Sequence, residues 1–358
     1  MKILIVQDHL RSGGTERQSI LLTRAFAAAG HEATLLTFRP GGALAPTLDS
    51  VRHRALQPVD LHLDWFAPGL AHAVRTAAPD IVLCMGRMAN CHAGGLQKKS
   101  PALAVIATMR TGKPLPRLFR RSLQQVRHII ANSHDAAAVL ASQHDVAPAK
   151  ITVIHNSLVF SPTGPPDHKT GLRAQLGATD ATLVLLDVAM FRPEKNQREL
   201  IEIAAQLPAG LDWQLWLAGD GPERAACERL TAKKNLSQQV KFLGFRADPA
   251  PLYSAADLAV HTSLRESLPN FLIEAHAHGL ASVAYDVGGV RETGAIAVPA
   301  RDQAAFLARL QPLLTDPALR ARTAAAAQTH AHSHFVPEQQ AHAYLDLFAR
   351  LLQAPAPA

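Results

Sequence analysis

Two carboxylates stand eight residues apart in the segment Arg265-Glu266-Ser267-Leu268-Pro269-Asn270-Phe271-Leu272-Ile273-Glu274. Pro269 and Asn270 suit the entry to a helix, which Phe271, Leu272 and Ile273 continue with apolar residues. Such an entry points unbonded backbone N–H groups and the positive end of the helix dipole forward, where a phosphate is favoured. Glu266, ahead of the helix, is placed to accept hydrogen bonds from hydroxyls. Glu274, one to two turns in, is placed to accept them from a second hydroxyl pair. Hydroxyls at both ends with phosphates between them describe a nucleotide sugar. A bare pair of glutamates at this spacing is more often two solvated charges on a surface helix. Here, however, the segment lies between two runs that read as buried strands, Asp257–His261 and Leu280–Tyr285. In open α/β sheets ligands bind at the carboxyl ends of the strands.

Other residues suited to phosphate lie at similar junctions. Arg192 and Lys195 follow the apolar run that ends in Asp187-Val188-Ala189-Met190. Leu215-Trp216-Leu217-Ala218 runs into Gly219-Asp220-Gly221-Pro222-Glu223, and Val240–Gly244 leads to Phe245 and Arg246. Arg224 occupies the third glycine position of a G-x-G-x-x-G fingerprint, which argues against a dinucleotide-dependent oxidoreductase. Gly288 and Gly289 follow another buried run and suit either a close backbone approach to a ligand or a plain turn. Near the start of the chain, Gly13 and Gly14 follow the first apolar run, where glycines let backbone N–H groups approach a phosphate.

The elements that must position these residues read as α/β throughout. Strands are expected at residues 2–7, 33–38, 80–84, 102–108, 127–131 and 151–155, then at 182–188, 213–218, 240–244, 257–261 and 281–285. Helical stretches separate them; one, Glu16–Ala29, ends at Gly30, a suitable residue just past a helix. Ser161–Asp167, with three prolines and a glycine, reads as a linker. The chain therefore resolves into two doubly wound units, an N-terminal Rossmann-like domain over 1–160 and a C-terminal one over 168–334. A last helix within 335–358 carries Tyr344, Leu345, Phe348, Leu351 and Leu352 on one face. At 358 residues, each domain is large enough for its own core.

Composition narrows the partners. No run of 18 apolar residues occurs, so no membrane-spanning helix is expected, and the first residues read as a strand rather than a signal peptide. Cys84, Cys91 and Cys227 have no paired spacing, which implies a reducing compartment, a cytoplasmic protein and no zinc site. His276 and His278, and likewise His330, His332 and His334, alternate along helices, so neighbours point to different faces and read as structural rather than metal-binding. Residues 1–165 hold 18 Lys and Arg against 9 Asp and Glu, whereas residues 166–358 hold 18 against 20. The excess basicity lies wholly in the first half. Its densest stretch, Lys113–Leu123, interleaves Leu115, Leu118, Phe119 and Leu123 with Lys113, Arg117, Arg120 and Arg121. That pattern suits either peripheral contact with an anionic membrane or an ordinary helix with a solvated basic face. Nucleic acid is not expected, since aromatic residues make up only 5% and no binding motif appears.

Together these segments resemble the retaining glycosyltransferases of the GT-B fold, family four. The 266–274 segment is similar to the family's E-G-L/F-P-N-x-x-x-E signature, with Ser267 where glycine is usual. Residues 187–196 resemble V-G-R-L-x-P-E-K, with Lys195 matching the lysine and Met190 standing where the arginine is usual. The G-D-G-P-E stretch matches closely, His9–Glu16 resembles the G-G-x-E loop, and Val153–Ser157 resembles V-I-P-N-G at the hinge.

The resemblance implies two Rossmann-like domains facing each other across a deep cleft, the last helix crossing back to the first. It implies a nucleotide-sugar donor, UDP-sugar favoured over GDP-sugar, and no cofactor. Lys195 and, in place of the absent arginine, Arg192 would grip the diphosphate. Glu266 would hold the sugar, and Glu274 the ribose. Gly13, Gly14, Gly219, Ser267, Leu268, Pro269 and Asn270 would line the donor, with Phe245 and Arg246 beside the base. Many relatives place a histidine facing the transferred sugar where this chain reads Thr108-Met109-Arg110; Arg110 is a candidate acceptor contact. The absence of any D-x-D implies a metal-independent reaction. The acceptor would be a glycan or lipid-linked glycan of lipopolysaccharide or polysaccharide biosynthesis, at the inner face of the membrane. Two alternatives stay open: an epimerase or hydrolase of the same fold, and a non-catalytic nucleotide-sugar-binding protein.

Overall fold

Apolar runs alternating with helices build two parallel sheets in the computed structural model, which describes residues 1–11, 13–159, 166–246 and 248–354. The chain divides into two units, Met1–Ser157 with the chain from Val336 onward, and Leu158–Phe335. In the first unit the strands are β1 (Lys2–Gln7), β2 (Glu32–Thr37), β3 (His53–Ala55), β4 (Ile81–Cys84), β5 (Ala104–Met109), β6 (His128–Ala131) and β7 (Ile151–Val153). They lie in the order β3-β2-β1-β4-β5-β6-β7. The second unit holds β8 (Leu183–Val188), β9 (Trp213–Ala218), β10 (Val240–Gly244), β11 (Leu258–His261), β12 (Ala281–Tyr285) and β13 (Ile296–Val298), ordered β10-β9-β8-β11-β12-β13.

Because each sheet is covered on both faces, its central strands are apolar at consecutive positions. Ile3 and Ile5 of β1 enter one core while Leu4 and Val6 enter another on the opposite face. In the second unit Leu185 and Leu215 point to one side, and Val184, Leu186 and Trp216 to the other. The last helix, Pro337–Gln353, belongs to the first unit. Its Tyr344, Leu347 and Phe348 pack with Ile3, Ile5 and Phe26, the Phe26 and Phe348 rings 5.7 Å apart and edge-on.

Several expectations need correction. The edge strands β3 and β13 lie outside the strands that the sequence predicts; each is three residues long, too short to carry a period. The expected linker includes Pro166 and Asp167, which instead open the helix Pro166–Gln175, proline being tolerated in a first turn. Residues 161–165 of that linker, and 355–358 of the expected last helix, lie outside the described residues. That helix starts at Pro337 rather than Phe335. The apolar residues of the basic stretch are largely consumed by the core: in and before the helix Arg117–Gln125, Leu115, Phe119 and Leu123 are buried. Leu118 is exposed beside Arg117, Arg120 and Arg121, which leaves a basic face with a single apolar residue.

The alternating histidines are structural hydrogen-bonding groups. His276 is buried, its Nδ1 2.9 Å from the Thr293 carbonyl and its Nε2 2.6 Å from Ser282 Oγ. His330 and His332 reach the carbonyls of Glu292 and Ala277. Burial lowers the His276 pKa to about 4. The unfolded chain therefore takes a proton near pH 6.5 that the folded chain refuses until about pH 4. Stability from the neutral ring is complete above pH 6.5 and is lost as pH falls toward 4. Relative to His276→Gln, which cannot titrate, the wild type should lose about 3 kcal/mol over that interval, read from urea unfolding at successive pH values.

Candidate functional site

Four ionisable groups meet at the carboxyl ends of β8 and β11, adjacent strands of the second sheet. His261, the last residue of β11, lies with Nδ1 2.7 Å from Asp187 Oδ1 and Nε2 2.8 Å from Glu266 Oε1. The Lys195 ammonium donates to that same Glu266 oxygen at 2.5 Å. Glu266 Oε2 has no hydrogen-bond partner among the described residues. Two cationic and two anionic groups thus form a paired cluster, which is the condition for keeping charge in a buried place. Burial alone would raise the Glu266 pKa, but Lys195 and His261 hold it far below the usual carboxylate range. Burial pulls the His261 pKa down, and the Asp187 and Glu266 carboxylates more than reverse this, leaving it at about 9.

Backbone bonds set this geometry. Pro193–Lys195 forms one tight turn, followed by Asn196 in the left-handed region at φ 55°. The Glu194 carbonyl accepts from Leu264 N–H at 2.8 Å and from Ser263 Oγ at 3.0 Å, and Thr262 Oγ1 donates to the Asn196 carbonyl. The turn bearing Lys195 is therefore stitched to the loop bearing Glu266. Gly219 and Gly221, at φ 143° and 149°, back onto the carbonyls of Ala189 and Phe191, where a Cβ would overlap those atoms. Gly288 does the same behind the Glu266 carbonyl at φ 55°, and Gly289 N–H donates to the Ser267 carbonyl. Of the two roles open to Gly288, the close approach is to protein backbone. Gly288→Ala should force the Glu266 loop aside and cost about 1–3 kcal/mol, measured as a lowered urea midpoint.

The helix that follows runs Asn270–Ala277. Ser267, Leu268 and Pro269 are buried before it, and Asn270 is half-buried. Pro269 has no N–H, so it cannot serve as a phosphate donor in the row 267–270 and instead fixes the backbone at the entry. Glu274 lies one turn in and accepts from the Tyr253 hydroxyl at 2.5 Å. Tyr253 is itself buried, its ring centroid 6.2 Å from that of Phe271 and 5.0 Å from that of His278.

Arg192 is half-buried and has no ion-pair partner among the described residues, while Met190 is exposed. Phe245, at 57% exposure, and Arg246 both face solvent. In the first unit, Gly13 precedes the helix Gly14–Ala28 and packs against the Glu16 carboxylate. Arg110 is tied to Tyr344 Oη at 3.2 Å and to Asn156 Oδ1, so it braces the last helix. The neighbouring Ser157 Oγ donates to Gln340 Oε1 at 2.7 Å, so Asn156 and Ser157 join the first unit's sheet to that helix. Neither Asp187 nor His261 is among the site candidates that the sequence offers. The available signal was a polar residue at the end of each of two apolar strands, since a parallel sheet gathers such ends together.

Two family models match the chain: Glycosyltransferase Family 4 over residues 12–158 and Glycosyl transferases group 1 over residues 169–330. A lipopolysaccharide core biosynthesis glycosyltransferase, LpsD of Rhizobium meliloti, is 31% identical over 183 residues, covering 50% of this chain and 52% of that protein. The putative glycosyltransferase EpsF of Bacillus subtilis is 29% identical over 233 residues, covering 64% of this chain and 57% of that protein. The chain thus spans little more than half the length of these relatives. Among solved structures, Anabaena Alr3699/HepE in complex with UDP superposes with a TM-score of 0.84 at 23% identity, covering 98% of this chain and 100% of that one. At that identity the likeness shows the fold.

Proposed function

Since this chain belongs to the GT-B glycosyltransferases of the family-four type, we propose that it transfers a sugar from a nucleotide-sugar donor to a glycan or lipid-linked acceptor in cell-surface polysaccharide biosynthesis. The observation that carries this reading is the Lys195–Glu266–His261 cluster in front of the helix Asn270–Ala277. The donor is a UDP-sugar, in keeping with the UDP named for the Anabaena protein. Lys195 and Arg192 face the diphosphate, and the helix entry adds N–H groups from residues other than Pro269. Glu266 offers its second oxygen to the sugar hydroxyls, and Glu274 holds the ribose.

As the glycosidic bond breaks, positive charge grows on the sugar ring and negative charge on the departing diphosphate. Fixed cations at the diphosphate favour that state over the ground state, which is the way a protein lowers such a barrier. A diphosphate oxygen takes the acceptor's proton on the face it leaves, so the configuration is retained and no dedicated base or metal cofactor is required. The acceptor is an anionic or lipid-linked glycan, matched by the basic first unit, with the protein at the inner face of the membrane. Among the described residues, no helix is long and apolar enough to cross one.

A thermal-shift panel of UDP- and GDP-sugars and nicotinamide dinucleotides tests the donor class, because a bound ligand raises stability by mass action. A UDP-sugar should give the largest rise; a rise with nicotinamide dinucleotides alone contradicts the reading. Exposed Met190, in place of a family cation, favours one rival, a binding protein without turnover. Release of UDP from a UDP-sugar separates the two.

A further inference from the structure

We propose that His261 is a positioning residue for Glu266, held by Asp187 so that one carboxylate oxygen is fixed and the other is turned to the ligand. This rests on the assignment of Glu266 to the sugar hydroxyls. The imidazole is fully enclosed: Asp187 takes one ring nitrogen at 2.7 Å, Glu266 the other at 2.8 Å, and the Phe271 ring lies 5.4 Å away. A ring gripped at both nitrogens cannot rotate. Glu266 is then held by two donors arriving from different elements, Lys195 on its turn and His261 on its strand. Both converge on Oε1, so the torsion of the carboxylate is set and Oε2 keeps a defined direction. The raised His261 pKa means the ring carries protons on both nitrogens at neutral pH, as two carboxylate partners require. A group pre-oriented this way loses little conformational entropy when a sugar arrives.

Two substitutions separate positioning from simple filling of space. In His261→Gln the amide nitrogen replaces Nε2 and keeps the bond to Glu266. In His261→Asn the amide nitrogen replaces Nδ1, keeping the bond to Asp187 and losing the one to Glu266. Calorimetric affinities for UDP and for UDP-glucose, with melting temperatures, are measured for wild type, both variants and Glu266→Ala. We expect His261→Asn to lose about tenfold in UDP-glucose affinity with UDP affinity unchanged, and His261→Gln to retain most of it. If His261→Asn keeps its UDP-glucose affinity while Glu266→Ala loses it, the positioning role is overturned and the sugar role of Glu266 stands. If Glu266→Ala itself leaves UDP-glucose affinity intact, the sugar role falls, and the positioning role with it. A loss that follows melting temperature equally in both His261 variants makes the histidine structural only.

Discussion

Replacing Lys195 with alanine should lower donor turnover about a hundredfold, roughly 3 kcal/mol of barrier, while the protein remains folded. The size follows from where its charge acts. A cation beside the diphosphate interacts more strongly with the departing group than with the bound donor, so its loss appears mainly in kcat rather than in binding. Folding should survive because Glu266 keeps its bond to His261, leaving the buried carboxylate paired. UDP release from a UDP-sugar, followed with urea unfolding of the same variant, checks both halves. Turnover within threefold of wild type would remove Lys195 from the leaving-group site.

Loss of Glu274 should act on binding instead. Charged hydrogen bonds to a ribose hydroxyl pair contribute about 3 kcal/mol, so Glu274→Gln should raise the Kd for UDP roughly a hundredfold. Glutamine is the better test than alanine, since its amide oxygen still accepts from the Tyr253 hydroxyl. Alanine would leave that buried hydroxyl without its Glu274 partner, and stability would fall alongside affinity. The pair of variants thus separates the ribose role from the support that Glu274 gives Tyr253. Unchanged UDP affinity in Glu274→Gln would contradict the ribose assignment.

Much of this architecture was legible because parallel strands covered on both faces announce themselves as continuous apolar runs, as Leu215–Ala218 and Leu258–Val260 do. Three-residue edges such as His53–Ala55 and Ile296–Val298 have neither the length nor the apolar run to stand out. The Glu266–Glu274 pair and Lys195 were visible as local motifs. Asp187 and His261 were not, because 74 positions separate them and only the pairing of β8 with β11 makes them neighbours. Glycine was ambiguous for a related reason: Gly219 and Gly288 do permit close approach, but to the carbonyls of Ala189 and Glu266. The basic stretch Lys113–Leu123 left two readings open because an apolar face turned to the core and one turned to a membrane share the same periodicity; burial of Leu115, Phe119 and Leu123 accounts for most of its apolar residues. Arg110 carried no sign that its partners, Asn156 and Tyr344, lie at distant points of the chain.

We propose that a nucleotide's diphosphate and ribose are held on the second unit, between Lys195 and Glu274. A crystal structure of the protein with UDP tests it most directly. In that complex the ribose hydroxyls should lie within hydrogen-bonding distance of the Glu274 carboxylate, and the diphosphate between Lys195 and the start of the helix Asn270–Ala277. UDP bound away from these residues, or no UDP bound at saturating concentration, would contradict it.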